Sequence, residues 1–419
     1  MDHFAIKNGV MHAEDVALPR IAEEVGTPVY VYSRATLERH AKVFREGLKD
    51  VPDKLIAFAV KANPNLAVLN VLQRQGYGAD VVSVGEMRRA LAAGIAPENI
   101  VFSGVGKTRA ELAAGLEAGI GQFNIESEEE GLELAEVARE MGTEARCTLR
   151  INPDVDAGTH DKISTGKADN KFGVPISEAG QIFGKLAGEE GVNLRGVAVH
   201  IGSQLADLAP LENAFAKLGE LVKSLRGAGH TITHVDLGGG LGVPYKQGEE
   251  LPSPAQYGAM VAEVTKDWGV KLIFEPGRVI AGNAGVLLTR VVRVKRGIND
   301  PFVIVDAAMN DLARPALYGA YHDFTAVEPK GADMTANIVG PICETGDTFA
   351  MGRLCDKLES GDLAVFRTAG AYGATMASSY NSRGFVAEVL VDGDKFAVVA
   401  DRIDASAIMD AERVPAWLD

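Results

Sequence analysis

Cysteine is scarce: Cys147, Cys343 and Cys355 are the only three in 419 residues. They are too few, and odd in number, for a disulfide framework. Basic charge is also short, with 42 Lys and Arg against 57 Asp and Glu and a net charge of −15. A chain so acidic lacks the basic face that nucleic acid or an anionic membrane selects, so neither is expected as a partner. No stretch approaches the roughly 20 apolar residues of a membrane span. There is no internal repeat, charge tract or low-complexity linker. No basic-then-apolar leader opens the chain, which starts MDHFAIKNGV, and the expectation is a soluble cytoplasmic protein. A metal site is not expected either. What remains is ordinary globular composition, 47 % hydrophobic and 24 % charged, and length for two to three domains at about 150 residues each.

Glycine is abundant. The 47 glycines bunch in FSGVGKT (102–108), GGGLG (238–242) and GDLAVFRTAGAYGAT (361–375). Such clusters mark either close backbone approach to a ligand or simply tight turns. Around them, apolar runs of strand length recur at 55–61, 79–83, 99–103, 121–127, 146–152, 195–202, 232–238 and 271–277, with a helical period in every gap. Eight strands alternating with helices over about 220 residues predict an α/β fold, a (β/α)8 TIM-type barrel. A doubly wound open sheet is the rival, but it usually carries GxGxxG after its first strand; here that strand ends in VKANPN. The helix 35–48 would cap the barrel or start its outer ring. After about residue 280 the runs become short, β-branched and closely spaced, which predicts a second, all-β, barrel-like domain. The N-terminal FAIKNGVMHAEDV reads as a hairpin that could join it. The expected division is 29–278 for the barrel, with 1–28 and 279–419 forming the β domain.

The active site of such a barrel lies at the carboxyl ends of its strands, and the reactive residues collect there. Lys61 closes the first strand, Asp80 and Ser83 the second, Arg150 and Asn152 the fifth, and His200 and Ser203 the sixth. Gly238 to Gly240 follow the seventh, and Glu275-Pro276-Gly277-Arg278 the eighth. A partly desolvated lysine at a barrel mouth is disposed to condense with a carbonyl, although a strand-end lysine can also just reach solvent. Bare backbone N–H groups after the seventh and eighth strands form this fold's recurrent phosphate site. A lysine beside a phosphate cradle is what pyridoxal phosphate requires. Glu275 would keep the cofactor's pyridine nitrogen protonated, or it pairs only with Arg278. His200 could stack on the ring or be a satisfied core histidine. Asp80 and Arg150 could form a structural ion pair, and Cys147 reads as core packing.

VKANPN, GADVVSVGEM, HIGSQ, GGGLG and EPGR, in this order and spacing, resemble the fold-type III pyridoxal phosphate decarboxylases, the alanine racemase-like barrel group. RPALYGAYH (314–322), GPICETGD (340–347) and GAYGATMASSYNSR (370–383) narrow the resemblance to the diaminopimelate decarboxylase branch. The likeness covers essentially the whole chain. It implies decarboxylation of meso-2,6-diaminopimelate to L-lysine and CO2, the last step of bacterial lysine synthesis, with pyridoxal 5'-phosphate as cofactor. By resemblance, Lys61 would bind the cofactor covalently, His200 would stack on its ring and Glu275 would face its nitrogen. Ser203, Gly239, Gly240 and the turn Glu275, Pro276, Gly277, Arg278 would hold its phosphate, with Asp80 and Tyr372 also touching the cofactor. Arg278, Arg314, Tyr318, Glu344 and Tyr372 would bind substrate, and Cys343 would be the proton donor. Arg314 offers a planar fork for a carboxylate. Cys343 and Glu344 would arrive from the other subunit of a homodimer with shared active sites. Thr345 stands where the family more often has serine, a conservative exchange. The segment 159–173 resembles the family's mobile loop over the site entrance. Related decarboxylases of ornithine, arginine or carboxynorspermidine, and a non-catalytic cofactor carrier, are the alternatives.

Overall fold

The computed structural model describes residues 2–156, 165–166, 170–246 and 248–418. Most of the expected 159–173 loop lies outside them. The described chain divides into two compact units, residues 38–243 with 250–280, and residues 1–37 with 244–249 and 281–419.

The first unit is a closed ring of parallel strands: β1 (Lys54–Ala59), β2 (Gly78–Val81), β3 (Ile100–Phe102), β4 (Gln122–Ile125), β5 (Ala145–Asn152), β6 (Val192–Val199), β7 (His234–Asp236) and β8 (Lys271–Phe274). Each pairs with the next, and β8 pairs with β1 through Ile273 opposite Leu55, which makes an eight-stranded (β/α)8 barrel. The helices form in the expected gaps, and five of them start at side-chain caps. Asn65, Ser83 and Ser127 accept from the first turns of their helices, and Thr108 with Glu111 and Ser253 with Gln256 form capping boxes. The strands are shorter than the apolar runs suggest. Lys61 lies on a 3-10 turn, Val60–Ala62, just past β1 rather than on it. Ser83 likewise caps a helix instead of ending β2.

The second unit is all-β and is centred on a strand that the sequence reading places at the start of the barrel. Val29–Ser33 runs antiparallel to Gly285–Lys295, with Tyr30 opposite Leu287. On its other side it runs parallel to Ala387–Asp392, with Val31 opposite Val389. Residues 29–37 therefore lie in this unit. The alternation of VYVYS explains the placement: Val29 and Val31 face a core of Val286, Leu288, Val365 and Val389. Tyr30 and Tyr32 face the other way, and their hydroxyls donate to the Asp311 carbonyl and to Glu388, each at 2.6 Å. The N-terminal hairpin turns at Asn8-Gly9, both at positive φ (52° and 83°). It makes a separate three-stranded sheet and packs Phe4 and Met11 onto the same core. Among the described residues, no helix is long and apolar enough to cross a membrane.

Candidate active site

Period two along the barrel strands turns Gln122 and Asn124 of β4, followed by Glu126, to one side, and Thr148, Arg150 and Asn152 of β5 to one side. These side chains build a buried polar web. Gln122 and Thr148 both donate to Asn124 Oδ1, at 2.8 and 2.6 Å. That fixes the amide, and its Nδ2 points at Asp236 Oδ2 (3.0 Å), Glu275 Oε1 (3.3 Å) and Ser103 Oγ (3.1 Å). Glu275 and Asp236 are also hydrogen-bonded to each other. Burial, then the charges of Asp236 and Asp80, raise Glu275 well above the ordinary carboxyl range. Burial likewise lifts Asp236 to about 6, against the opposing hydrogen bonds from Asn124 and the Gly238 N–H. The pair thus retains a proton between them.

Lys61 Nζ donates to Asp80 Oδ2 at 3.0 Å, and Asp80 is fully buried. Asp80 Oδ1 is also buried and has no hydrogen-bond partner. Arg150 does not pair with Asp80; it meets Glu126 at 2.7 Å. Lys61, His200, Asp236 and Glu275 line a cavity of about 340 Å³. The Gly239 N–H donates to His200 Nδ1 at 3.1 Å, so that nitrogen carries a lone pair. Desolvation, then the charges of Lys61 and Arg150, hold the imidazolium form of His200 well below its ordinary value. The ring is neutral.

Beside it lies the glycine cradle. A Cβ on Gly239 would sit 2.2 Å from the Glu275 carbonyl oxygen, and one on Gly240 (φ +129°) 2.4 Å from Leu205 Cδ1. Only bare backbone fits there. Arg278 donates to Ser203 Oγ from Nε at 3.3 Å and from Nη2 at 3.1 Å. The Pro276 carbonyl accepts from the Ala59 N–H at 3.1 Å, which ties the turn after β8 to β1, and the Gly277 carbonyl accepts from Ile280 N at 3.1 Å.

The remaining expected residues lie in the second unit. Arg314 and Tyr318 share a face of the short helix Arg314–Tyr318, which Gly319 ends in a left-handed conformation. Tyr372 sits at φ +56°, a strained conformation for a tyrosine that typically costs on the order of 1 kcal/mol. Cys343 and Glu344 are exposed on a loop organised by buried Asp347. Asp347 accepts from the N–H groups of Ile342 and Met309, both at 2.6 Å. Gly340 is required there, since a Cβ would lie 2.3 Å from Asp347 Oδ2. Tyr380 is hydrogen-bonded to Glu344.

Residues 34–282 match the family described as pyridoxal-dependent decarboxylase, pyridoxal binding domain. The chain is 52 % identical to diaminopimelate decarboxylase of Zymomonas mobilis over 418 residues, 99 % of each chain. The chain belongs to the diaminopimelate decarboxylase family. Solved family members agree. The Helicobacter pylori enzyme complexed with L-lysine is 38 % identical with a TM-score of 0.91, over 94 % of this chain and 98 % of that one. The M. jannaschii enzyme in complex with L-lysine is 36 % identical with a TM-score of 0.96, over 100 % and 99 %.

Pyridoxal phosphate, the cofactor of this family, suits the residues present. The cavity offers an amine for its carbonyl, an acidic pair for its ring nitrogen, and a neutral imidazole. Bare glycines with Arg278 and Ser203 suit its phosphate, and the unpartnered Asp80 Oδ1 leaves an acceptor for a further donor. Asn124, Asp236 and Asp347 were not among the residues picked from sequence. Asn124 and Asp236 sit in short strands, QFNI and HVD, whose mixed polar and apolar residues carry no signal that marks either position.

Proposed function

We propose that the chain decarboxylates meso-2,6-diaminopimelate to L-lysine and CO2 with pyridoxal 5'-phosphate. The 52 % identity over 99 % of both chains carries this reading. When bound, the cofactor supplies a protonated ring that draws in the electrons left by departing CO2.

Each residue has a task in this reading. Lys61 Nζ holds the cofactor's carbonyl carbon, and Asp80 steadies the amine. Glu275, backed by Asp236 and Asn124, keeps one proton shared with the ring nitrogen. His200, with its neutral ring lining the cavity, would help to hold the cofactor. Ser203, Gly239, Gly240 and the turn from Glu275 to Arg278 receive the phosphate. The substrate has an amino acid group at each end, so one end must be gripped while the other reacts. Arg314 takes the distal carboxylate as a planar fork. Glu344 takes the distal ammonium, and Arg278, Tyr318 and Tyr372 complete the grip. Cys343 delivers a proton to the carbon that loses CO2. Cys343 and Glu344 act on the site of a second copy, in a two-fold homodimer, and the protein works in the cytoplasm. Their exposure on a loop tied to Asp347 supports that role.

The pure protein, loaded with cofactor and given meso-diaminopimelate, is expected to release CO2 and lysine in equal amounts. Faster CO2 release from ornithine or arginine would reassign it to a neighbouring decarboxylase. Bound cofactor with no CO2 from any of these substrates would make it a carrier.

A further inference from the structure

The motif RPALYGAYH ends in a histidine that the proposed reaction does not use. His322 is 3 % exposed, and Arg314, eight positions earlier, is 7 % exposed. His322 Nε2 lies 2.9 Å from Arg314 Nη1. Its Nδ1 lies 2.9 Å from the Arg367 carbonyl oxygen. These partners determine the ring's protonation, because a guanidinium only donates and a carbonyl only accepts. Nδ1 carries the hydrogen and donates to Arg367, which leaves the Nε2 lone pair to accept from Arg314. A doubly protonated ring would keep the first bond and face Arg314 cation to cation. Tyr245 closes the arrangement. Its ring meets His322 edge to face at 5.4 Å and carries the Arg314 guanidinium at 4.8 Å. Arg353 donates to the His322 carbonyl at 2.9 Å and stacks on Tyr321 at 4.0 Å, so the backbone beneath the imidazole is held too.

We propose that His322 is a positioning residue for substrate recognition: its neutral imidazole, with the hydrogen on Nδ1, aims the Arg314 guanidinium at the distal carboxylate without diminishing its charge. A carboxylate partner would orient the guanidinium equally well, but would also neutralise it and weaken its hold on an anionic substrate. An imidazole lone pair orients and leaves the charge in place. The inference rests on the reading of Arg314 as the carboxylate's ligand, and the experiment separates the two.

Four variants of the cofactor-loaded enzyme test it, by kinetics on meso-diaminopimelate and by competitive inhibition with L-lysine, which keeps one amino acid end. Arg314→Met is expected to raise KM about a hundredfold, the scale of a lost charged hydrogen bond. His322→Asn retains a donor near Nδ1 but removes the acceptor. It is expected to raise KM and the lysine inhibition constant together by about tenfold, with kcat within about twofold and cofactor absorbance unchanged. His322→Gln places an acceptor oxygen near the Nε2 position and is expected to remain within about threefold of the parent KM. His322→Glu supplies an acceptor with a negative charge and is expected to be as weak as His322→Asn. Unchanged KM in Arg314→Met would remove the reading of Arg314 and the proposal with it. A raised KM there with a normal KM in His322→Asn would overturn the proposal alone. Equal losses in the Asn and Gln variants, or losses in kcat and cofactor absorbance instead of KM, would also overturn it. Should His322→Asn fail to fold, the contrast between Gln and Glu decides.

Discussion

The barrel mouth and the loop around Cys343 are both rich in acidic side chains, and they handle them in opposite ways. At the mouth, Asp80, Asp236 and Glu275 are all buried, linked through Asn124 and Lys61, and burial drives Asp236 and Glu275 toward their protonated forms. In the loop only Asp347 is buried; it is used up on two backbone N–H groups, and Glu344 is left exposed beside Cys343. The first arrangement is finished by the chain itself and stores a proton where a ring nitrogen would need one. The second is a loop tied to one buried carboxylate, with Cys343 and Glu344 facing outward. A cofactor cradle has to be dry and closed before its ligand arrives, whereas groups meant for another molecule have to stay accessible.

Four experiments sharpen or break this contrast. The largest effect is expected for Lys61→Ala, which removes the mouth's only proposed covalent anchor. Visible absorbance of bound cofactor and nearly all turnover should vanish, and retention of both would show Lys61 to be merely the partner of Asp80. Next comes Glu275→Gln, which should still bind cofactor while kcat falls on the order of 10²–10³, typical for one lost electrostatic contact to the developing charge. A near-normal kcat would make the buried pair structural.

The third experiment concerns the outward-facing loop. Lys61→Ala and Cys343→Ala should each be inactive alone. Mixed so that subunits exchange, half of the dimers are hybrids, and each hybrid holds one intact site out of two. About a quarter of parental activity should therefore return. A mixture shown to exchange subunits that stays inactive would mean that Cys343 serves its own chain. The smallest effect is thermal. Asp236, raised to about 6, binds its proton more tightly folded than unfolded. Its contribution is therefore complete below the ordinary carboxyl range and is lost as pH climbs through about 6. Cofactor-free protein should lose several degrees of melting temperature, about 5 °C, between pH 4 and pH 7. Asp236→Asn should flatten that slope, and an unchanged slope would place the retained proton elsewhere.

The barrel was legible in the sequence because eight apolar runs alternate with segments of helical period, a pattern that few folds share. Its edges were less so. The ladder of β1 stops at Ala59, where the backbone tightens into a 3-10 turn, yet the run LIAFAVK reads as unbroken to Lys61. Val29–Ser33 alternates like any half-buried strand, and nothing local says that its neighbours come from beyond residue 284. Strand-end chemistry brought out Lys61, His200 and Glu275 directly. Asn124 and Asp236 lie within strands of four and three residues, too short for polar positions to stand out, and their task depends on partners from other strands. Cys343, Glu344 and Arg314 carry no periodic signal at all; only their motifs single them out. Even there RPALYGAYH did not disclose that its last residue holds its first.

The place of Val29–Ser33 has a consequence for the order in which the molecule is made. One of its two flanking strands, Ala387–Asp392, leaves the ribosome some 350 residues later, roughly 20–70 s at ordinary translation speed. The barrel sequence is complete long before then, while the amino-terminal segment that precedes it still lacks a neighbour. A β-rich stretch, VYVYS, therefore keeps one edge unpaired in every nascent chain until residues 387–391 have been made. A chain stopped after residue 295 but before residue 387 would keep one partner of that strand and leave its other edge open, a ready template for aggregation.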